Sequence, residues 1–159
     1  MTINLDLNGS IMNNFKNKKI TLNLDFDGTC VTHAFPEVGK SIGAEKVLKR
    51  LTDAGHQLIL FTMRSDIEKP KSNDPNIIPV GGRYLTDAVN WFKQNDIPLY
   101  GIQSNPTQKT WTTSPKSYAE LMIDDSALGC PLKFDQEISN RPFVDWDIIE
   151  QYLVQINLI

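Results

Sequence analysis

Residues 20–29 of the chain read ITLNLDFDGT, a segment that combines a strand pattern with two acidic residues and a turn. Apolar and polar residues alternate from Ile20 to Phe26, which is the period of a β-strand. The Asp27-Gly28 pair is typical of a turn and predicts the end of that strand. Asp25 and Asp27 lie two residues apart and therefore share one face. Because a buried strand gains no stability from two neighbouring carboxylates, the pair indicates a functional site.

Strand and helix patterns alternate along the rest of the chain. Helices are predicted over residues 41–53, between Ser41 as N-cap and Gly55 as stop, over residues 85–92, and at the C-terminus, where Asp145 can cap the last one. Further strands are predicted at residues 57–62, 99–103 and 120–124. This alternation predicts an α/β fold of the Rossmann-like type, a three-layer α/β/α sandwich with a mostly parallel central sheet.

The length of 159 residues suits a single domain over residues 1–159. Residues 1–17 are rich in Asn and are interpreted as a tail or a loose edge. Residues 65–83 form a long polar connector near the expected site, and connectors of this length are often functional. Whether this connector acts as a flap is left open.

Composition and charge exclude several classes of protein. Sixteen basic residues face 19 acidic ones, a net charge of −3, which disfavours general affinity for nucleic acid. No apolar run approaches the roughly 20 residues of a membrane span, and the N-terminus lacks the pattern of a secretory signal. Two cysteines, Cys30 and Cys130, are too few for a disulfide framework. We therefore expect a protein of the reducing cytoplasm with no membrane contact.

Other chemistry-bearing residues lie at the carboxyl ends of later predicted strands or, for Lys116, in the loop before the last of these strands. They are Thr62, Lys116 and the pair Asp124-Asp125. Ligands of open α/β sheets bind at the carboxyl ends of the strands, so these residues are expected to meet Asp25 and Asp27. Carboxylates at one edge repel one another, and Mg²⁺ together with a lysine would offset their charge. The chemistry that fits is phosphoryl transfer to a carboxylate nucleophile, with a second carboxyl group as acid and base.

At these residues the sequence resembles the haloacid dehalogenase (HAD) superfamily of phosphohydrolases. Its four motifs occur in chain order as LDFDGT at 24–29, LFT at 60–62, Lys116, and MIDD at 122–125. The resemblance covers roughly residues 20–130. It implies an Mg²⁺-dependent phosphatase with a HAD-like fold. Since only residues 30–40 and 65–83 are available for a cap domain, the chain resembles a cap-less or minimally capped member.

The resemblance also implies a role for each motif residue. Asp25 would be the nucleophile and Asp27 the general acid and base. Asp124 would hold Mg²⁺ together with the Asp25 carboxylate and the Asp27 backbone carbonyl. Asp125 belongs to the same metal site, where it would orient a metal-bound water.

The transferring phosphoryl group would be bound by the remaining motif residues. Thr62 and Lys116 are assigned to it by the resemblance, with help from backbone N–H groups near Gly28. Lys109 competes with Lys116 for the third motif, and Lys116 is preferred because it lies eight residues before Asp124. Arg64, two residues after Thr62, is expected near the mouth of the site, where it either contacts the substrate phosphate or is a solvated or structural charge.

Rival interpretations stay open. A catalytically silent phosphate-binding or regulatory protein could share this fold. A P-loop nucleotide enzyme is a less favoured alternative: residues 34–41, AFPEVGKS, end like a P-loop, but the first glycine of that motif is missing. His33 either faces the site or is structural. We expect a small phosphorylated substrate rather than nucleic acid, but the sequence does not separate sugar phosphates, nucleotides and phosphorylated macromolecules. An open site could also be completed by a second subunit in a homo-oligomer.

Overall fold

The structure is a computed structural model, and it describes residues 15–68 and 81–159. The elements in chain order are β1 (Thr21–Leu24), α1 (Ala44–Asp53), β2 (Gln57–Leu60), β3 (Asp66–Ile67), β4 (Gly82–Arg83), α2 (Tyr84–Gln94), β5 (Gly101–Ile102), β6 (Leu121–Ile123), β7 (Leu132–Lys133), β8 (Phe143–Val144) and α3 (Trp146–Gln155). The expected alternation of strands and helices is therefore confirmed as an α/β architecture.

The central sheet has four strands in the order β5-β2-β1-β6. All three neighbouring pairs run parallel. The interior strand β1 is buried on both faces, which suits its apolar Leu22 and Leu24. Every strand is shorter than its sequence pattern suggested: β1 ends at Leu24, although the alternation continues to Phe26. The predicted, mostly parallel central sheet is confirmed.

Register within this sheet places the site. Leu24 pairs with Leu60 of β2 on one side and with Ile123 of β6 on the other. The backbone N–H of Asp25 still donates to the carbonyl of Ile123, at 3.1 Å. The residues that follow these three strands therefore leave the sheet side by side at one edge.

Phe26 fixes the chain between the two acids of the first motif. Its ring is fully buried and packs edge-on against Trp91 of α2, with ring centroids 5.8 Å apart. The ring centroid of Phe92 lies 6.2 Å from that of Phe26. Removing a buried Phe side chain typically costs about 3–5 kcal/mol, so this anchor strongly constrains the positions of Asp25 and Asp27.

The helix ends contradict one prediction from the sequence and confirm two. Ser41 is not the N-cap of α1: Gly43 takes that position with φ +89°, and the Ser41 hydroxyl instead donates to Glu45 Oε1 at 2.6 Å. Gly55 ends the same helix in the left-handed conformation, as predicted. Asp145 caps α3 by accepting from the backbone N–H groups of Asp147 and Ile148.

Two small antiparallel ribbons were not predicted, because strands of two residues carry no periodic signal. β3 and β4 pair Asp66 with Arg83 inside the long connector, whose residues 69–80 lie outside the described residues. The predicted tail at 1–17 falls almost wholly outside them as well. β7 pairs with β8 in the second ribbon.

Both cysteines of the chain are free thiols. Cys30 is buried and Cys130 half-buried, as the small number of cysteines suggested. Over residues 15–68 and 81–159, every helix is too short or too polar to cross a membrane.

Candidate active site

Three aspartates converge where β1 and β6 end. Asp25, Asp124 and Asp125 each offer one carboxylate oxygen, and these three atoms lie within 4.8 Å of one another. Asp25 leaves the end of β1, and the other two leave the end of β6. All three side chains are half-buried, so the cluster is open to a ligand.

The pKa of Asp25 is raised by burial and by the charges around it. Burial raises its pKa to about 7, against a hydrogen bond from the Phe26 backbone that lowers it. The negative charges of Asp124, Asp125 and Asp27 add to the rise in the pKa. A neighbouring positive charge would reverse this effect and favour the ionised form.

Hydrogen bonds hold the other two aspartates of the cluster. Asp124 Oδ1 accepts from the backbone N–H and the hydroxyl of Ser126, at 2.8 and 2.6 Å. Asp125 Oδ2 lies 3.0 Å from Nε2 of His33, which therefore faces the site. Thr29 Oγ1 accepts from the Asp125 backbone N–H at 3.0 Å and donates to Asp25 Oδ2 at 3.4 Å. The supporting roles of Ser126 and Thr29 were not predicted from the sequence.

Gly28 lies at the turn that follows the first strand, with φ +79°. Its backbone N–H donates to the carbonyl of Val31 at 2.8 Å, and its own carbonyl accepts from Val144 N–H at 2.8 Å. The N–H predicted to face the phosphoryl group is thus already bonded within the turn. Gly28 serves the site through its backbone conformation.

Asp27 stands apart from the three converging aspartates. Both of its oxygens accept from Arg64, Oδ2 from Nε and Oδ1 from Nη2, each at 2.7 Å. Arg64 was expected at the mouth of the site, but it is only 2 % exposed. The structure therefore gives Arg64 a carboxylate partner inside the protein in place of the predicted substrate contact.

Gln103 fixes the second motif, and sequence reasoning missed it. Its side-chain oxygen accepts from Thr62 N–H at 3.1 Å, and its amide nitrogen donates to the carbonyls of Thr62 and Arg64 at 2.7 and 3.0 Å. The hydroxyl oxygen of Thr62 accepts from the backbone N–H of Arg64 at 3.2 Å, so the hydroxyl proton is available to a ligand. A polar residue directly after β5, at the ligand-binding edge of the sheet, was the signal that could have identified Gln103.

The third motif is less sharply placed than the others. Lys116 and Lys109 are both exposed, and neither forms an ion pair with any acid in the part of the chain that the structure describes. Lys116 adjoins Ser117, whose hydroxyl and carbonyl bond the Asn23 side chain at 3.0 and 2.9 Å. Because Asn23 lies in β1 only two residues before Asp25, this contact holds the backbone of Lys116 near the cluster.

Lys109 belongs to a neighbouring surface feature. It lies in a 3₁₀ turn, Gln108–Thr110, beside a hollow of about 440 Å³ that Ser104, Thr112 and Ser114 also line. Among the described residues, neither ammonium group forms an ion pair with the aspartates, so the choice of Lys116 over Lys109 stays a prediction.

Comparisons with known proteins add support for the fold. No protein-family model matches the chain, and no curated protein does. Among solved structures, the chain is similar to one described as the structure of a conserved protein from Bacteroides thetaiotaomicron, with 27 % sequence identity and a TM-score of 0.63. The match covers 87 % of this chain and 92 % of that chain. That description states no activity, so the likeness bears on the α/β fold.

Proposed function

We propose that this protein is an Mg²⁺-dependent phosphatase of the HAD type that hydrolyses a small phosphate monoester. The proposal includes the HAD-like three-layer α/β/α sandwich and a location in the cytoplasm, with which free thiols are compatible. One observation carries it: oxygens of Asp25, Asp124 and Asp125 converge within 4.8 Å at the end of an interior parallel strand. Such an arrangement destabilises the folded protein unless a positive charge binds there.

The converging residues fit a magnesium site. They supply only carboxylate oxygens, the donors that this hard cation prefers. Asp25, Asp124 and Asp125 would hold the ion, with the backbone carbonyl of Asp27 as a further expected ligand. When bound, Mg²⁺ supplies the positive charge that offsets the carboxylates and the charge that develops on the phosphoryl oxygens.

Asp25 is the proposed nucleophile. Its ionised carboxylate attacks phosphorus, a new O–P bond forms, and the ester P–O bond breaks with its electron pair on the leaving oxygen. Asp27 gives its proton to that oxygen. Water then attacks the aspartyl-phosphate and passes a proton to Asp27, which releases inorganic phosphate and restores both carboxyl groups.

Thr62 and Lys116 are proposed to bind the transferring phosphoryl group. The Thr62 hydroxyl can donate because its oxygen already serves as acceptor to Arg64 N–H. Lys116 would bring a positive charge on a flexible stem from a loop that Ser117 ties to β1. Preorganised donors of this kind lower the barrier because they meet charge as it develops.

The test is phosphate release from p-nitrophenyl phosphate, with Mg²⁺ and with a chelator. We expect activity that requires Mg²⁺, that Asp25→Asn abolishes, and that Asp53→Asn, on the surface of α1, leaves unchanged. Near-wild-type activity in Asp25→Asn would refute the mechanism.

The second candidate is a catalytically silent phosphate-binding protein on the same fold. Beryllium fluoride, a mimic of the phosphoryl group, separates the two. Mg²⁺-dependent binding of the mimic without turnover of any substrate would favour the silent protein.

A further inference from the structure

We infer that Arg64 is a positioning residue for the proposed reaction: it fixes the carboxyl group of Asp27 for proton transfer to the leaving group. The inference rests on the proposed function and deepens it. It assigns Arg64 a task different from binding the substrate phosphate, and it explains why one of the four aspartates is treated differently from the rest.

The contact between Arg64 and Asp27 is bidentate. Nε and Nη2 donate to the two carboxylate oxygens at 2.7 Å each, the paired geometry that gives an arginine–carboxylate contact its orientation. The Arg64 side chain is 1 % exposed, whereas that of Asp27 is 20 % exposed. Each oxygen uses one lone pair towards Arg64 and keeps another, on which the proton of the acid can be carried. The carboxyl group is thus held from the buried side and open on the other.

The guanidinium group is itself fixed by the surrounding backbone. Nη1 donates to the carbonyls of Pro36 and Tyr84 at 3.2 and 3.5 Å, and Nη2 donates to the carbonyl of Glu37 at 2.6 Å. With the two bonds to Asp27, these contacts use all five N–H donors of an arginine. Arg64 therefore has no donor left for a substrate unless a bond inside the protein breaks.

Aromatic rings close the remaining sides of Arg64. Its Cζ atom lies 5.1 Å from the ring centroid of Phe26 and 5.2 Å from that of Phe35. Guanidinium groups are attracted to ring faces at such distances. Bonds and rings together leave the guanidinium one orientation, and this orientation sets the plane of the Asp27 carboxylate.

The placement of Arg64 divides the aspartates by task. Asp25, Asp124 and Asp125 converge on one point, and among the described residues neither Lys nor Arg lies within 4.0 Å of their carboxylates. Within the described part of the chain, Asp27 is the one of these four aspartates with a guanidinium partner, and its oxygens are not among the converging atoms. The three backbone carbonyls occupy only three of the five donors of Arg64, and Asp27 accepts from the other two and neutralises the buried charge. The same two bonds fix the orientation of the Asp27 carboxyl group and leave its exposed side open for the proposed proton transfer.

The test compares leaving groups. p-Nitrophenol departs without help from an acid, whereas an alkyl alcohol needs a proton, and general acid catalysis contributes roughly 10²–10⁴-fold. Arg64→Lys keeps the charge but cannot bridge both oxygens. We expect it to lower kcat for an alkyl phosphate by about 10²-fold or more, and kcat for p-nitrophenyl phosphate by only a few-fold. Arg50→Lys, on the surface of α1, should leave both rates unchanged.

Asp27 variants supply the matched comparison. Asp27→Asn should show the same selective loss, and the double variant Arg64→Lys/Asp27→Asn should be no slower than Asp27→Asn, because both changes remove one function. Asp27→Glu keeps the carbonyl bonds of Arg64 and moves only the carboxyl group. It should also lose alkyl phosphate hydrolysis selectively, and it serves as the test if Arg64→Lys fails to fold.

The possible failures are distinguishable. Equal loss on both substrates in Arg64→Lys, or in Asp27→Glu where Arg64→Lys does not fold, would overturn the positioning role while leaving the phosphatase in place. A wild-type protein that hydrolyses neither substrate with Mg²⁺ would overturn the proposed function, and the inference would fall with it.

Discussion

The imidazole of His33 occupies the space that a side chain on Gly28 would fill. A Cβ on Gly28 would overlap the His33 ring and lie 2.7 Å from Asp125 Oδ2. His33 Nε2 and Asp125 Oδ2 are themselves 3.0 Å apart. The glycine of the first motif is thus required by two separate features, a left-handed turn and the close approach of a histidine–aspartate pair.

Gly28→Ala should therefore be more harmful than a glycine replacement that meets backbone strain alone. Gly43 is the matched control, because its φ is +89° and no atom lies within 4 Å of an added Cβ. Left-handed backbone costs an Ala about 1–2 kcal/mol, which we expect for Gly43→Ala. Gly28→Ala should cost about 1–3 kcal/mol more, since overpacking adds to the strain. Urea unfolding in chelator measures both, and equal losses of unfolding free energy would contradict the steric argument.

Replacement of the nucleophile should stabilise the metal-free protein. The pKa of Asp25 is about 7 in the folded state and 3.8 in its ordinary environment. Between these values the folded state binds more protons than the unfolded chain, so the free energy of unfolding falls as pH rises through this window. Asp25→Asn removes that dependence. We expect it to melt at a higher temperature than wild type at pH 8 in chelator, with a smaller difference at pH 5.

Asp53→Asn, whose carboxylate lies on the surface of α1, is the control for this pH effect. It should melt as wild type does at both pH values. A wild-type stability that rises between pH 5 and pH 8 by more than that of Asp25→Asn would show that Asp25 is not destabilised by ionisation.

The sequence was most informative where a pattern is local. Alternation along residues 20–26 predicted β1, and helical spacing predicted α1, because each depends on neighbours a few residues away. Ser41 was wrongly assigned as N-cap for a related reason: both Ser41 and Gly43 can begin a helix. Only the path of the chain decides between them, and it places Gly43 at the start of α1.

Side-chain partners were harder to foresee. Arg64 contacts Asp27 across 37 positions, and Gln103 contacts Thr62 across 41. No periodicity reports such pairs. The motif residues indicated that four aspartates would share one edge of the sheet, but not which of them Arg64 would hold. That division depends on Pro36, Glu37 and Tyr84, whose carbonyls aim the guanidinium group.

Magnesium should stabilise the folded protein independently of catalysis. A ligand that binds only the folded state adds about 2.7 kcal/mol to the unfolding free energy at 100 times its Kd. We expect Mg²⁺ to raise the melting temperature of wild type at pH 8. The rise should be lost in Asp124→Asn, which removes a converging oxygen, and kept in Asp53→Asn. Equal shifts in all three proteins would place the binding of Mg²⁺ elsewhere.

The roles of the two candidate lysines of the third motif can be distinguished by replacing each with Met, which removes the charge and keeps a side chain of similar length. Lys116→Met should lower kcat/KM for p-nitrophenyl phosphate by about 10²-fold, the usual effect of losing one preorganised donor to the transition state. Lys109→Met should change it little, because it is Lys116 that adjoins Ser117, the residue whose hydroxyl and carbonyl bond Asn23 of β1. The reverse outcome would move the phosphoryl-binding charge to Lys109 and assign the adjacent hollow to the substrate. The Mg²⁺-dependent rise in melting temperature should persist in both variants, since neither lysine contacts the aspartates.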